Sequence, residues 1–333
     1  MQTDPASNPP LLSVKGLSVS LPAAHGRRLF ATREVDLTIH PGQIAGIAGE
    51  SGSGKTMTAL AIMGLLPPLA QVSGGLQFDG RDLLTMASRD RARIRGADVA
   101  MIFQDPMTSL HPMLSIGRQL TEHLIHHRRV DRETARRRAT DLLDMVRIPN
   151  AKLALTRYPH QFSGGMRQRI AIASALSCAP KLLIADEPTT ALDVTVQAGI
   201  LRLLESLRAD LGLSIILITH DLGVMSALAD SVSVMYAGRI VEQGERHQVL
   251  ANVRHPYTHG LQRAMPDTQS DRPDLHPIEG TPPSIGRVPP GCAFHPRCDF
   301  ARAQCRAAVP PLLARDDGRL LACRVDPLQG VSA

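Results

Sequence analysis

The stretch Gly49-Glu50-Ser51-Gly52-Ser53-Gly54-Lys55-Thr56 lies between the apolar run Ile44 to Ala48 and the helix-like run Met57 to Leu66. A G-x-x-x-x-G-K-[ST] spacing entered from a strand and left by a helix leaves few alternatives to a phosphate-binding loop. Its glycines let backbone N–H groups curl around phosphate oxygens, and the helix points its positive end at the same anion. Lys55 adds a full charge, and Thr56 a hydroxyl for Mg²⁺. A plain flexible turn accounts for neither flank.

The rest of the chain supplies strand tips where a nucleotide-binding sheet needs them. Residues Leu11 to Val19 and Val35 to Ile39 read as strands of an N-terminal antiparallel sheet, separated by a polar segment, Leu21 to Arg33. Within that segment Phe30 is either a base-stacking ring or a turn residue tucked on the sheet. Asp79-Gly80 marks a hairpin corner. The buried strand Val99 to Phe103 ends at Gln104, and polar groups just past the carboxyl ends of core strands are where open α/β sheets keep ligands. Residues 105 to 160 turn helical and basic, with Leu142, Leu143, Met145 and Val146 expected on one face. Ser163-Gly164-Gly165 opens a helix reaching about Cys178, with Ser163 as N-cap and bare N–H groups beside it.

Lys181 to Pro188 is more specific. Leu182 to Ala185 predicts a central parallel strand, and Asp186 and Glu187 emerge at its tip. Asp186 is the candidate Mg²⁺ ligand, and Glu187 the group that polarises an attacking water. Ala191-Leu192-Asp193 then precedes a helix over Val196 to Ala209, and the strand Ser214 to Ile218 ends in Thr219-His220-Asp221.

A length of 333 residues, 43 % of them hydrophobic, allows one large core with a smaller appendage. The net charge of +6 raises nucleic acid as a partner, but the arginines are interspersed with acids and aromatics are only 3 %. A base-stacking surface needs more rings, so no nucleic acid is expected. Met1 to Pro10 has no apolar h-region, and Ala59 to Ala70 is broken by Gly64, Pro67 and Pro68. It is also far short of the roughly 20 residues a membrane span needs, so a cytosolic chain is expected. In a reducing compartment the five cysteines call for burial or metal ligation rather than structural disulfides.

With these residues in place the chain closely resembles the ATP-binding cassette of ABC transporters. FSGGMRQR, FQDPMTSL and AIMGLLP, at Phe162, Phe103 and Ala61 onward, are similar to the D-type subunit of dipeptide and oligopeptide permeases; Met166 stands where the family usually has glutamine. The resemblance implies an α/β P-loop ABC ATPase with a RecA-like core sheet, an N-terminal antiparallel β subdomain and a helical subdomain over about 112–178. The cassette is expected over 10–254 and a small irregular Cys-rich extension over 255–333. It further implies that Gly49, Glu50, Ser51, Gly52, Ser53, Gly54, Lys55, Thr56 and Met57 cradle ATP with Phe30, and that Thr56, Gln104 and Asp186 hold Mg²⁺. Ser163, Gly164, Gly165 and Asp193 serve the nucleotide across a cassette pair, and Glu187, His220, Gln104 and Lys55 carry hydrolysis. The implied partners are two transmembrane permease subunits, a second cassette of the related F type and, indirectly, an extracytoplasmic substrate-binding protein. The implied location is the cytoplasmic face of the bacterial inner membrane. Gln104 to Met113 is the implied docking loop for a membrane subunit. Di- and oligopeptides are the expected cargo, with nickel chelates or peptide antibiotics as alternatives. A soluble non-transport cassette protein usually carries a long coiled coil or second phosphate loop, and neither occurs here.

Cys292, Cys298, Cys305 and Cys323 follow a C-x5-C-x6-C-x17-C spacing in a proline-rich segment poor in apolar residues. Such a segment needs a cross-link to fold. Four thiolates suit a 4Fe-4S cluster or Zn²⁺, although zinc folds usually present a short C-x2-4-C knuckle that is absent here. By resemblance the extension carries a cluster; zinc and unligated thiols remain alternatives. Cys178 is expected in the core.

Overall fold

The computed structural model describes residues 9–105, 109–190, 192–264 and 276–329. Among these the strands are β1 (Leu12–Pro22), β2 (Arg28–Ile39), β3 (Ile44–Ala48), β4 (Gln71–Phe78), β5 (Arg81–Asp82), β6 (Val99–Ile102), β7 (Leu182–Asp186), β8 (Ser214–Thr219), β9 (Ser231–Tyr236), β10 (Arg239–Glu245), β11 (Leu313–Ala314) and β12 (Leu320–Leu321). The chain divides into two compact units: Met1–Ile39, Ile44–Leu84 and Ile218–Ala333 form one, His40–Gln43 and Thr85–Leu217 the other.

In the first unit an antiparallel sheet runs β2-β1-β4-β5. Its core face buries Leu12, Val14, Leu17 and Val19 from β1 with Leu37 and Ile39 from β2. The strands are longer than the sequence pattern implies: β1 and β2 pair from Leu12↔Ile39 to Pro22↔Arg28, so most of the expected polar connection is strand. Register shifts between Val14 and Leu17 and again around Val19 break the apolar alternation that marks a strand in sequence. Gly16 and Glu34 both take positive φ there. Phe30 accordingly lies in β2, opposite Ser20, and not in a turn. The corner at Asp79 and Gly80 has positive φ at both residues, as a tight type I′ hairpin demands.

The same unit holds the strand run β11-β12-β10-β9-β3. β3 is parallel to β9 from Ala45↔Ser231 to Ala48↔Val234, and all five of its residues are buried. A run without alternation is what a strand covered on both faces requires. The tail returns to this sheet: β12 pairs antiparallel to β10, with Glu242 opposite Leu321. Beneath this pairing Glu242 is fully buried, its Oε1 accepting from Arg319 Nη1 at 2.9 Å and from the Arg254 N–H at 3.1 Å. Its Oε2 accepts from the His255 N–H at 3.2 Å. Arg319, only 2 % exposed, also donates to the Asn252 carbonyl and to Asp317. Arg254 in turn pairs with Asp326. A short helix, Pro256–Arg263, follows and is capped by His255, whose Nδ1 accepts from the Tyr257 N–H.

The second unit carries the neighbouring strands β6 and β7, parallel from Val99↔Leu182 to Ile102↔Ala185, with the start of β8 beside β7. Its helices are Ile116–Arg128, Arg132–Met145, Gly164–Leu176 and Val194–Leu211, with shorter turns Ser88–Ile94 and Ala151–Ala154. Four of these begin at a side-chain cap: Ser115, Asp131, Ser163 and Asp193 each accept a backbone N–H of the first turn. Leu142, Leu143 and Val146 are buried as expected, but Met145 is 41 % exposed. It ends the helix one position off the apolar stripe, so only three of the four residues share a face. Cys178 is buried, as a core thiol should be.

Removing Arg319 leaves Glu242 as an uncompensated buried charge. Arg319→Ala is expected to cost about 3–5 kcal/mol of unfolding free energy. Chemical denaturation checks this; a loss below about 1 kcal/mol would mean that the pair is not what holds the tail.

Burial also pushes His255 down to about 4 from an ordinary 6.5. Between those values the unfolded chain binds a proton that the folded chain refuses, so stability is complete above pH 6.5 and falls as pH drops toward 4. The contribution is up to about 3 kcal/mol. His255→Asn, which keeps an acceptor near the Nδ1 position, should flatten the dependence of the denaturation midpoint on pH in this window.

Candidate functional site

In the first unit, β3 leads directly into the glycine-rich loop. Gly49 has φ +146°, and a Cβ there would stand 2.3 Å from the Met235 carbonyl oxygen, so the loop hugs β9 as only glycine allows. Gly54, also at positive φ, begins the helix Lys55–Met63, and no side chain caps it. The first-turn N–H groups are therefore not taken by a capping side chain, which is the arrangement that receives an anion. Lys55 is buried, and its ammonium donates to the carbonyls of Gly49 (2.7 Å) and Glu50 (2.9 Å), curling back over the loop. Ser53 is buried too, and its Oγ has no protein partner. A buried hydroxyl without a partner costs stability unless something else fills it, so the loop's donor set fits a polyphosphate. Thr56 is exposed on the first helical turn, Ser51 and Gly52 are exposed on the loop, and Met57 is half-buried.

Two further residues of this unit were expected at the nucleotide. Phe30 is 40 % exposed with the Arg33 guanidinium 4.5 Å from its ring centroid. His220 follows β8 and is exposed, and next to it Asp221 caps the helix Leu222–Leu228 by accepting the Gly223 and Val224 N–H groups.

The second unit assembles the acidic residues. Asp186 is the last residue of β7 and is 2 % exposed. Glu187 follows at φ +48°, a left-handed conformation that a residue with a Cβ adopts only where its surroundings enforce it. Its Oε2 accepts from Gln104 Nε2 at 3.1 Å and from Thr190 Oγ1 at 2.8 Å, so the carboxylate is aimed before any ligand arrives. Ser163 caps the helix Gly164–Leu176 through the Met166 N–H. A Cβ on Gly165 would lie 2.5 Å from Val196 Cγ1, which explains the glycine by close packing against the helix Val194–Leu211. Asp193 caps that helix, and hydrogen bonds from Thr195 and the Val196 N–H hold its carboxyl below the usual range. Ala191 and Met107 lie outside the described residues; His111 and Met113 of the expected docking loop are exposed.

The four distal cysteines of the first unit converge. Cys292, Cys298, Cys305 and Cys323 line one cavity of about 20 Å³ together with His255 and Phe294. Burial pushes Cys292, Cys298 and Cys323 up, Cys298 to about 11, and the neighbouring thiols raise each of them further. The Cys292 N–H donates to the Cys305 carbonyl at 2.8 Å, and the Asp326 N–H to Cys323 Sγ at 3.3 Å. Among the described residues no three His, Cys, Asp or Glu side chains are grouped closely enough to hold a single ion. Four thiols facing one cavity are a donor set for an inorganic group, which would bind them as thiolates.

Three residues that the sequence pattern does not single out complete these arrangements. Thr190 orients Glu187 from a position whose only signal is its nearness to the carboxylate pair. Tyr257 and Arg297 both reach Glu50 of the phosphate loop across more than 200 positions of sequence, and no local pattern encodes that contact.

Comparison with known proteins gives the family. A family model described as ABC transporter matches residues 32–190, and one described as the C-terminal region of oligopeptide/dipeptide transporters matches residues 241–305. The chain is 48 % identical to the oligopeptide transport ATP-binding protein OppD of Haemophilus influenzae, over 94 % of this chain and 97 % of that protein. It is 46 % identical to the dipeptide transport ATP-binding protein DppD of Bacillus subtilis, over 94 % of each. Among solved structures it is similar to the dimeric bacterial ABC transporter cassette MJ0796, at 27 % identity and a TM-score of 0.63, covering 71 % of this chain and 98 % of that one. Among the described residues no helix is long and apolar enough to cross a membrane. A phosphate loop, a strand-tip carboxylate pair and a family-specific C-terminal region thus occur in one chain, which belongs to the ATP-binding subunits of the oligopeptide/dipeptide ABC import family.

Proposed function

We propose that this chain hydrolyses ATP with Glu187 as the water-polarising group. The carrying observation is that Glu187 stands at the end of β7 in a strained backbone, its carboxylate fixed by Gln104 and Thr190. Lys55 and the loop's backbone N–H groups up to Met57, those of Glu50 and Ser53 excepted because Tyr257 and the Glu50 carbonyl take them, bind the phosphates, and Phe30 stacks on the base. Thr56, Gln104 and Asp186 would hold Mg²⁺, which would neutralise charge on the phosphate oxygens when bound. Glu187 takes a proton from the attacking water as the water oxygen bonds to the γ-phosphorus and the bond from that phosphorus to the bridging oxygen breaks, releasing ADP and inorganic phosphate. His220 stabilises charge on the transferred group. Ser163, Gly164 and Gly165 present a capped helix start to a nucleotide on a second cassette, with Asp193 beside them. Phosphoryl transfer depends on such positioning and electrostatics more than on covalent chemistry.

The cassette, residues 10–254 with its helical part near 112–178, works with a related F-type cassette and two transmembrane permease subunits, fed by an extracytoplasmic binding protein. The assembly sits at the cytoplasmic face of the cell membrane. Residues 255–333 form the extension, in which Cys292, Cys298, Cys305 and Cys323 hold a 4Fe-4S cluster; their convergence on one cavity supports this.

Glu187→Gln should retain ATP binding while lowering turnover by about 10²-fold or more. Steady-state phosphate release beside an equilibrium nucleotide titration checks this, and near-normal turnover would sink the assignment. Anaerobically purified protein should be brown and contain about four iron and four sulfide per chain. Cys298→Ser should bleach it and Cys178→Ser should not; colourless protein with one zinc would replace the cluster by a structural ion.

A further inference from the structure

Glu50 is the second residue of the phosphate loop, and three of its groups are held by three different partners, all in the first unit. Its N–H donates to the Tyr257 hydroxyl at 2.7 Å, and its carbonyl accepts from Lys55 Nζ at 2.9 Å. Its carboxylate accepts from both ends of the Arg297 fork, Nη1 at 2.7 Å and Nη2 at 3.0 Å. The Arg297 side chain is 6 % exposed and that of Glu50 is 23 %. The guanidinium is boxed in further: Nε donates to the Glu279 carbonyl at 2.9 Å, Nη2 to that of Ile278 at 3.3 Å, and Nη1 to the Tyr236 hydroxyl at 3.3 Å. So many contacts around one buried guanidinium fix its position, and a bidentate fork fixes that of the carboxylate it meets.

A carboxylate on a polyphosphate-binding loop carries the wrong charge for its surroundings. Left alone it opposes the incoming anion, and it also competes for the lysine that should meet the phosphates. We propose that Arg297 is a positioning residue of the nucleotide site: it neutralises Glu50 and draws its carboxylate away from the phosphates, so that a residue of the C-terminal extension sets the affinity of the phosphate loop for ATP. Tyr257 acts with it by fixing the Glu50 backbone. The inference rests on the loop being the ATP site.

The test is an equilibrium titration of the full chain with Mg²⁺ and adenylyl imidodiphosphate, a non-hydrolysed analogue. Arg297→Ala should weaken binding about tenfold, the size of one partly screened like-charge contact. Adding Glu50→Gln to that variant should restore affinity to within about threefold of the original, because the repelling charge is gone. A purely structural role for Arg297 predicts no such rescue. If Arg297→Ala does not fold, Arg297→Gln, with and without Glu50→Gln, makes the same comparison. Unchanged affinity on losing the guanidinium, or a loss that Glu50→Gln leaves in place, overturns the proposal. Failure of the unaltered chain to bind the analogue, or undiminished binding by Lys55→Ala, would instead overturn the ATP site itself.

Discussion

A carboxylate shut off from water must be surrounded by donors or it does not stay charged, and Glu242 is the point at which the first unit meets that requirement. Burial pushes its pKa up, while the Thr258 hydroxyl, the N–H groups of His255 and Arg254 and the Arg319 guanidinium work to keep the charge. The donors come from two pieces of the unit far apart in sequence. Arg319 belongs to the returning tail, and Arg254 and His255 introduce the helix that carries Tyr257. One acid therefore sets the path of the chain on both sides of the cysteine-lined cavity. Replacing such a pair with apolar residues need not weaken a protein, so the better account of it is one of registry: the tail has one place to dock.

Local chemistry was legible in the sequence and distant pairing was not. The phosphate loop, the cap at Ser163 and the tip of β7 each follow from residues within a few positions of one another, because turn geometry and helix starts are short-range problems; the cap at Asp193, with its helix starting two residues earlier than expected, is seen only in the structure. The extent of β1 and β2 was hidden by register shifts, which put polar residues where the pattern of a strand calls for apolar ones. Met145 was misassigned for a related reason: at the last turn of a helix the apolar stripe no longer decides which way a side chain points.

The chemistry of the site divides along the same line. That Glu187 is an acid at a strand tip is visible in the letters. Its left-handed backbone and its hold by Thr190 are not, since both come from how the chain turns after β7. Convergence of four cysteines is suggested by their number, whereas their shared cavity depends on Gly291, whose positive φ brings the Cys292 segment against the Cys305 carbonyl. Glu50 shows the limit most clearly, because its two anchors lie at sequence distances of 207 and 247.

The docking of the tail on β10 also bears on the order in which the chain is made. Glu242 and Arg319 are 77 positions apart, so a ribosome delivers the acid and the outer face of β10 long before the residues that cover them. At ordinary synthesis rates the interval is roughly 4–15 s. For that time the sheet ends in an open edge with a carboxylate beneath it, a template on which another nascent chain can pair. The charge discourages such pairing, since a strand added by a neighbour brings no arginine to meet it. What the finished protein uses as a fastening serves the unfinished one as a guard.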